Sequence, residues 1–231
     1  VRGRNQDIGQ VQFFGKLHLA KVRGEEVLHF LLGHLNPLGH TTLTHTADDH
    51  LALDLVAGVD ARREEIDLGG KLAFTIEHLL TRAECARLIE VTEALGFRDA
   101  APGINTPPGM RRNKTVPWIA PAEAMAELFR RVAPFVPHQL DGRSLSPVLS
   151  HRINTYRYDQ GDEFNLHIDG DWPGFGLSPD GNRMVQWAGT QSMLTMLLYL
   201  NGAEDGLQGG STTLYDQGEL RAAVTPQTGR A

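Results

Sequence analysis

The chain has 231 residues, of which 41% are hydrophobic and 22% are charged, and its formal net charge is −6 at pH 7. This length is enough for one domain with a sizeable core, or for one domain with an appendage. The acidic balance argues against a dominant phosphate-binding surface, because non-specific nucleic-acid binding needs clustered cations. Arg111, Arg112 and Lys114 form one small basic cluster, which we interpret as part of a solvated loop. We therefore expect no nucleic-acid partner.

The cysteine content and the apolar runs bear on cellular location. Cys85 is the single cysteine, so no internal disulfide can form, and this fits a reducing compartment. The strongest apolar runs, residues 30–32 and 193–200, are too short to span a bilayer. The sequence starts at Val1 without the apolar stretch of a signal peptide. We expect a cytoplasmic protein with no membrane partner, and we expect Val1 to be the end of a fragment.

Residues 1–70 differ from the rest of the chain. Their histidines include several that are five residues apart, a spacing that matches neither a helix face nor a strand face. The segment has no cysteine, and Cys/His metal sites usually show tighter paired spacing. We interpret residues 1–70 as an N-terminal extension of uncertain structure that ends near the glycine pair at 69–70, with a metal-binding module as the alternative. The segment holds six of the ten histidines: His18, His29, His34, His40, His45 and His50.

The pattern becomes regular after residue 70. Residues 71–76 fit a short strand. Thr81 and Glu84 have the spacing of a capping box, in which the hydroxyl and the carboxylate satisfy free amides of the first helical turn. The apolar residues that follow recur at helical spacing, and Gly96 is a stop signal. We predict a helix between these points, with Cys85 as a small buried residue.

A second helix and several strands are predicted downstream. The helix starts at Pro121 and ends before Pro134, and a loop rich in proline and glycine, residues 103–108, precedes it. Helices followed by several short strands suggest an α+β fold whose strands form a sandwich or a jelly roll. The run at 193–200 suits a strand that is buried on both faces. The predicted strands are residues 151–158, 193–200, 211–215 and 222–225.

The most informative motif is Tyr158-x-x-Gly161-x-x-Phe164-x-x-His167-x-Asp169. In a strand, residues i and i+2 point to the same face, so His167 and Asp169 could hold one metal ion from one side. They would supply two-thirds of the 2-His-1-carboxylate site that binds non-haem Fe(II). A plain alternative is a core histidine bonded to a backbone carbonyl and an aspartate in a turn before a glycine.

This motif resembles the signature of the prolyl 4-hydroxylase-like family of 2-oxoglutarate- and Fe(II)-dependent dioxygenases. Residues 198–201 and 209–212 resemble the Tyr-Leu-Asn strand and the Gly-Gly-x-Thr turn of the family, and residues 112–114 resemble its Arg-Asn-Asn-like element. The resemblance covers roughly residues 72–231. It implies an α+β domain over residues 71–231, built as a double-stranded β-helix (a jelly roll) with flanking N-terminal helices.

The resemblance also implies a site and an activity. His167 and Asp169 would be iron ligands, and Tyr158 and Tyr199 would line the 2-oxoglutarate pocket. The expected cofactors are Fe(II), 2-oxoglutarate as cosubstrate and ascorbate, and the expected partners are O₂ and a substrate to be hydroxylated. That substrate is a protein side chain or a small molecule, which the sequence does not identify. The loop at 170–191 is expected to rim the mouth of the site.

The sequence departs from the family at the third iron ligand, a distal histidine that a Lys or Arg follows. Residues 222–231 resemble the approach to that strand, and Arg230 falls before the position of the histidine. Arg230 is therefore not expected to bind the cosubstrate. We expect a dioxygenase domain that is incomplete at its C-terminus, lacks its last strands, binds Fe(II) weakly and turns over little or nothing. The alternative is a non-catalytic jelly-roll binding module that has lost its third iron ligand.

Overall fold

The computed structural model describes residues 60–99, 107, 109–180 and 183–231 in full, and the backbone of residues 10–20. The fold is α+β, as expected, with mostly short antiparallel strands. Besides the main sheet there are three two-stranded sheets, β2–β3, β8–β9 and β11–β12, and no barrel closes within these ranges. The jelly roll therefore stays a prediction. Within the same ranges, no helix is long and apolar enough to cross a membrane.

The helices agree with the sequence prediction. Helix α1 spans Arg82–Leu95, helix α2 spans Ala122–Val132, and a 3-10 turn covers Ala203–Asp205. The strands of the described ranges, in chain order, are β1 (Gln10–Ala20), β2 (Arg62–Glu65), β3 (Phe74–Glu77), β4 (Lys114–Ile119), β5 (Gln139–Leu140), β6 (Arg143–Leu149), β7 (Arg152–Tyr158), β8 (Phe175–Leu177), β9 (Met184–Gln186), β10 (Thr190–Tyr199), β11 (Thr212–Asp216) and β12 (Glu219–Val224). The four predicted downstream strands thus correspond to β7, β10, β11 and β12.

The largest sheet of the described residues has six strands in the order β4-β7-β1-β6-β5, and β10 pairs with β1 as well. Every pairing is antiparallel. Strand β1 pairs with β7 through residues 10–14 and with β10 through residues 12–20. Strand β4 pairs with β7 in a register that sets Thr115 opposite Tyr156. The motif therefore begins at the C-terminal end of an interior strand, because β7 lies between β4 and β1.

Strands on the two sides of the predicted boundary at residue 70 pair with each other. Strand β2 pairs with β3 in a hairpin, and Gly69 and Gly70 lie in its turn with φ values of 62° and 83°, which favour glycine. Residues 10–20 pair with strands of the later part of the chain. These two segments are thus ordered parts of the sheets, although we expected residues 1–70 to form an extension of uncertain structure. The division into two domains stays a prediction, and five of the six histidines of that segment lie outside the described residues, as does most of the predicted loop at 103–108.

The capping box of α1 is present. The Thr81 hydroxyl accepts a hydrogen bond from the Glu84 amide at 3.2 Å, and the Thr81 amide donates to the Glu84 carboxylate at 2.7 Å. Gly96 follows the helix with φ 82°, and its amide donates to the Glu93 carbonyl. Cys85 is buried, as predicted. The two local signals at 81–84 and 96 therefore define this helix.

The core lies between the helices and one face of β4 and β7. On that face Trp118 lies opposite Ile153, and the Trp118 indole donates to the Thr155 hydroxyl at 2.9 Å. Alternate residues of the same strands, Thr115 and Tyr156 among them, point to the other face. Buried apolar residues of the core include Ile76, Leu79, Leu88, Met125, Leu128, Leu149 and Leu198.

The last residues bridge β3 and β10. The amide and carbonyl of Ile76 bond to the carbonyl and amide of Ala231 at 2.7 and 3.0 Å, and the Tyr199 amide donates to the Arg230 carbonyl at 2.8 Å. The Arg230 guanidinium donates to both carboxylate oxygens of Glu77, at 2.8 and 2.9 Å. Arg230 thus holds β3 to the C-terminal segment.

Candidate functional site

The His-x-Asp segment follows a tight turn at the end of β7. The Asp162 amide donates to the Asp159 carbonyl at 3.0 Å, and Gly161 takes φ 81°. Phe164 then forms an isolated antiparallel bridge with Arg111. Beyond that bridge, residues 165–174 form no strand. We predicted strand geometry for the pair, and this was wrong, because no neighbouring described strand pairs with the segment after the bridge.

His167 and Asp169 nevertheless converge. The Nε2 atom of His167 lies 3.4 Å from Oδ1 of Asp169, and the two side chains are 35% and 38% exposed. The Nδ1 atom of His167 lies 2.8 Å from the Asn165 carbonyl oxygen. A carbonyl only accepts hydrogen bonds, so Nδ1 carries the proton and Nε2 keeps its lone pair in the neutral ring.

The carboxylate of Asp169 is held in a similar way. Its Oδ2 accepts a hydrogen bond from the Thr195 hydroxyl, on β10, at 2.8 Å. Each member of the pair therefore has one polar atom tied to a neighbour and the other directed at its partner. The segment after β7 and the strand β10 together fix this arrangement.

An aromatic wall supports the histidine. The Phe164 ring stacks on the His167 ring at 3.9 Å with 12° between the planes, and it meets the Tyr156 ring edge to face at 6.4 Å. The Arg111 guanidinium lies 5.7 Å from the centre of the Tyr156 ring and 5.9 Å from that of Phe164. The imidazole is thus restricted in rotation on one side by packing and at Nδ1 by its hydrogen bond.

The two tyrosines assigned to the cosubstrate pocket lie on β7 and β10. Burial raises the pKa of the Tyr158 phenol, and the neighbouring phenols of Tyr156 and Tyr199 raise it further. Burial likewise raises the pKa of Tyr199, and its hydroxyl donates to the Thr212 hydroxyl at 2.6 Å. Both phenols are therefore neutral near pH 7 and able to donate a hydrogen bond.

The described residues supply no third protein ligand beside His167 and Asp169. Among them, no group of three His, Cys, Asp or Glu side chains could hold a metal ion. The nearby acidic side chains are engaged elsewhere. Glu163 accepts from Arg112 at 2.9 Å, Asp162 accepts from the Asp159 amide at 2.9 Å, and Asp171 accepts from Gln191. We therefore interpret these carboxylates as charged loop residues and not as metal ligands.

The donor set fits a divalent ion such as Fe(II) in part. Imidazole nitrogen and carboxylate oxygen are the donors of the non-haem iron site. With metal–donor bonds of about 2.1 Å, two donors at angles of about 90° to 110° lie about 3.0 to 3.4 Å apart. The 3.4 Å separation in the structure falls at the upper end of that range. One metal ion could therefore bind to both Nε2 of His167 and Oδ1 of Asp169.

Two residues at this site were missed by the sequence analysis. Thr195 is the hydroxyl residue that interrupts the apolar run at 193–200, and this interruption was a signal. Arg111 gave no comparable signal, because its position beside Phe164 depends on a backbone pairing between distant parts of the chain. No protein-family model, curated protein or solved structure matches this chain.

Proposed function

We propose that this chain carries the iron-binding pair of a 2-oxoglutarate- and Fe(II)-dependent dioxygenase similar to the prolyl 4-hydroxylases. The observation that carries the proposal is the convergence of His167 Nε2 and Asp169 Oδ1 at 3.4 Å, with the other polar atom of each residue held in place. Ligating histidines in proteins commonly donate their second ring N–H to a carbonyl or carboxylate in this way.

The residues around the pair have definite roles in this proposal. When bound, Fe(II) supplies the centre at which 2-oxoglutarate is oxidatively decarboxylated with O₂ and the substrate is hydroxylated. Asn165 and Thr195 orient the two ligands, and Phe164 excludes water from one side of the imidazole. Ascorbate would serve as the reductant in an assay.

Tyr158 and Tyr199 are proposed to bind 2-oxoglutarate. Their raised pKa values keep both phenols protonated, so each can donate to a carboxylate oxygen. The Tyr199 hydroxyl donates to Thr212 in the structure, and it would exchange that acceptor for the carboxylate. A tyrosine in this position also contributes an apolar ring that shields the bound acid.

Affinity for the metal should be modest. Two protein donors leave more positions to solvent than three, and the described residues supply no third donor beside the pair. We therefore propose weak Fe(II) binding and little or no turnover by this chain alone. The substrate is a protein side chain or a small molecule.

Metal binding to His167 and Asp169 tests the proposal directly. Mn(II), which is stable in air, is titrated into the chain and its binding is followed by electron paramagnetic resonance. We expect His167→Ala and Asp169→Ala to weaken binding by about tenfold or more. The control is His138→Ala, which removes an exposed histidine in another part of the fold. Equal affinity in all four proteins would overturn the assignment of the pair and favour the histidines of residues 1–70.

Catalysis needs a separate test. The chain is incubated with Fe(II), ascorbate and 2-oxoglutarate, and succinate is measured against the His167→Ala variant. Succinate above that control supports the dioxygenase. Because little or no turnover is proposed for this chain, binding of 2-oxoglutarate separates the two candidates when succinate is absent. Mn(II) binding by the pair with a resonance spectrum that 2-oxoglutarate leaves unchanged would favour the second candidate, a non-catalytic binding module, for which the missing third donor is the supporting observation.

A further inference from the structure

Apart from the Nε atom of Arg157, whose guanidinium pairs with Glu93, three side chains on β4 and β7, or next to them, have buried polar atoms without a hydrogen-bond partner among the described residues. They are the amide of Asn113, through both Nδ2 and Oδ1, the hydroxyl of Thr115, and Oδ1 of Asn154. Asn113 is 3% exposed and Thr115 is 0% exposed. Leaving such groups buried and unsatisfied costs free energy, so folded proteins normally pair them with protein, water or a ligand.

These groups share one face of the sheet. Thr115 lies opposite Tyr156, and Asn154 lies opposite Pro117, in the β4–β7 register. Directly opposed residues of antiparallel strands point to the same face, and the intervening residues form the helix-packed core on the other face. Asn113 precedes Thr115 by two residues and is buried as well. The unsatisfied groups therefore lie beside Tyr156, away from the helices.

The guanidinium of Arg111 lies beside these unsatisfied groups. Arg111 lies over the Tyr156 and Phe164 rings, and it forms no ion pair with any carboxylate of the described residues. Its neighbour Arg112, by contrast, pairs with Glu163 at 2.9 Å. The site thus combines buried donors and acceptors with a positive charge that no carboxylate in the described part of the chain pairs with. Through Phe164, Arg111 is also adjacent to the His167 imidazole.

We propose that Arg111, Asn113, Thr115 and Asn154 form the binding site of a small amino or hydroxy acid. The carboxylate of such an acid would accept hydrogen bonds from the Arg111 guanidinium, the Asn113 Nδ2 and the Thr115 hydroxyl. Its N–H or O–H group would donate to the amide oxygens of Asn113 and Asn154. A ligand with only a carboxylate would leave those oxygens unsatisfied, which is why the ligand carries both kinds of group.

This inference rests on the proposed function only for the role of the ligand, which would be the substrate of the His167–Asp169 centre. Binding itself requires no metal. The two proposals therefore fail separately: Thr115→Val should leave Mn(II) binding unchanged, and His167→Ala should leave binding of the acid unchanged.

The experiment uses the full chain freed of metal by a chelator. The twenty common L-amino acids, L-lactate and L-malate are screened by thermal shift, and the strongest stabiliser is titrated calorimetrically beside its neutral carboxamide analogue. We expect the amide to bind about tenfold more weakly or worse, because charge-assisted bonds to Arg111 are lost. Arg111→Gln should weaken the acid by a similar factor, and Thr115→Val should weaken it less.

The matched control is Arg112→Gln, which removes a neighbouring guanidinium that already has a carboxylate partner. It should leave the affinity for the acid within about twofold of the wild-type value. If no acid in the panel binds, or if Arg111→Gln and Arg112→Gln bind it equally, the proposal is wrong and the buried groups hold water only.

Discussion

The carboxylate of Glu84 and the guanidinium of Arg131 form an ion pair at 2.8 Å, and each side chain is 4% exposed. Glu84 lies in the first turn of α1 and Arg131 in the last turn of α2. Arg131 also donates to the Leu79 carbonyl at 3.0 Å, and Glu84 accepts from the Thr81 amide at 2.7 Å. One buried charged network therefore joins the two helices to the turn after β3.

Glu84→Gln should destabilise the fold strongly. Removing one member of a buried pair typically costs about 3 to 5 kcal/mol, because the other charge loses its buried partner. Arg131 would keep only its longer contact with the partly exposed carboxylate of Glu127, at 3.4 Å, so we expect a loss near the lower end of that range. The measurement is the free energy of unfolding in urea. The matched control on the same helix is Glu90→Gln, whose carboxylate pairs with exposed Arg87 at 3.1 Å and should contribute less than about 1 kcal/mol. Similar losses in both variants would contradict this prediction.

The same carboxylate should make stability depend on acid pH. Burial acts to raise the pKa of Glu84, but the Arg131 guanidinium and the Thr81 amide outweigh it and hold the pKa below its ordinary value. A group whose pKa is lowered by folding contributes stability above its unfolded pKa, and that stability is lost as pH falls through the folded pKa. The unfolding free energy should therefore fall on acidification from about pH 5 to pH 3, and Glu84→Gln should show a smaller fall.

His151 should add a second pH dependence at higher pH. Burial lowers the pKa of its imidazole, and the carboxylate of Glu123 offsets only part of this. Its Nδ1 accepts a hydrogen bond from the Leu177 amide at 3.2 Å, and its ring meets Trp187 edge to face at 5.5 Å. The folded chain therefore resists protonation at His151, whereas the unfolded chain accepts the proton as pH falls through the ordinary value.

Stability from the neutral imidazole should be complete at about pH 7.5 and partly lost at about pH 5.5. We expect His151→Gln to reduce the difference in unfolding free energy between these two conditions, with unfolding followed by tryptophan fluorescence. The control is His138→Gln, which replaces an exposed histidine. It should show the same difference in unfolding free energy as the wild type. An unchanged difference in His151→Gln would show that other groups cause it.

Thr195→Val tests the orientation of Asp169. Valine has nearly the same shape as threonine but cannot donate to Asp169 Oδ2. The carboxylate should then rotate more freely, and Mn(II) affinity should fall by about tenfold, as is typical when an orienting hydrogen bond is lost. Thr213→Val, at an exposed position on β11, should leave the affinity unchanged. Equal affinities in the two variants would mean that Thr195 does not position the ligand.

Local signals predicted the helices well. The capping box at Thr81 and Glu84 and the stop at Gly96 all lie within a few residues of the structure they determine. The strand at residues 10–20 was missed, although Val11, Phe13, Leu17 and Leu19 alternate with other residues as strands require. The irregularly spaced histidines of residues 1–70 obscure that alternation.

The sequence predicted only those contacts of the site that join residues close together in the chain. His167 and Asp169 are two residues apart, so their proximity follows from an extended backbone even without a strand. Thr195 and Arg111 reach them through β10 and through the bridge to Phe164, and sequence periodicity does not reveal which strands pair. The predicted loop at 170–191 contains the hairpin β8–β9, because two short strand segments there pair with each other.

The segment that ends the chain packs, through Gly229, against the turn between β3 and α1. Gly229 takes φ 82°, its carbonyl accepts from the Leu79 and Leu80 amides at 2.9 and 3.2 Å, and its amide donates to the Tyr199 carbonyl at 2.9 Å. A Cβ atom added there would lie 2.1 Å from the Leu80 carbonyl oxygen, which is backbone and cannot turn away. The position therefore needs glycine for both conformation and space.

Gly229→Ala should cost more than the strain of its backbone conformation alone. Gly206 provides the matched control, since it takes φ 90° and an added Cβ would meet nothing within 4 Å. Alanine at such a φ costs about 1 kcal/mol, so Gly206→Ala should lose about that amount. Overpacking against a fixed backbone atom adds about 1 to 3 kcal/mol in Gly229→Ala. Urea unfolding of both variants measures the difference, and equal losses would mean that Gly229 does not hold the C-terminal segment against Leu80.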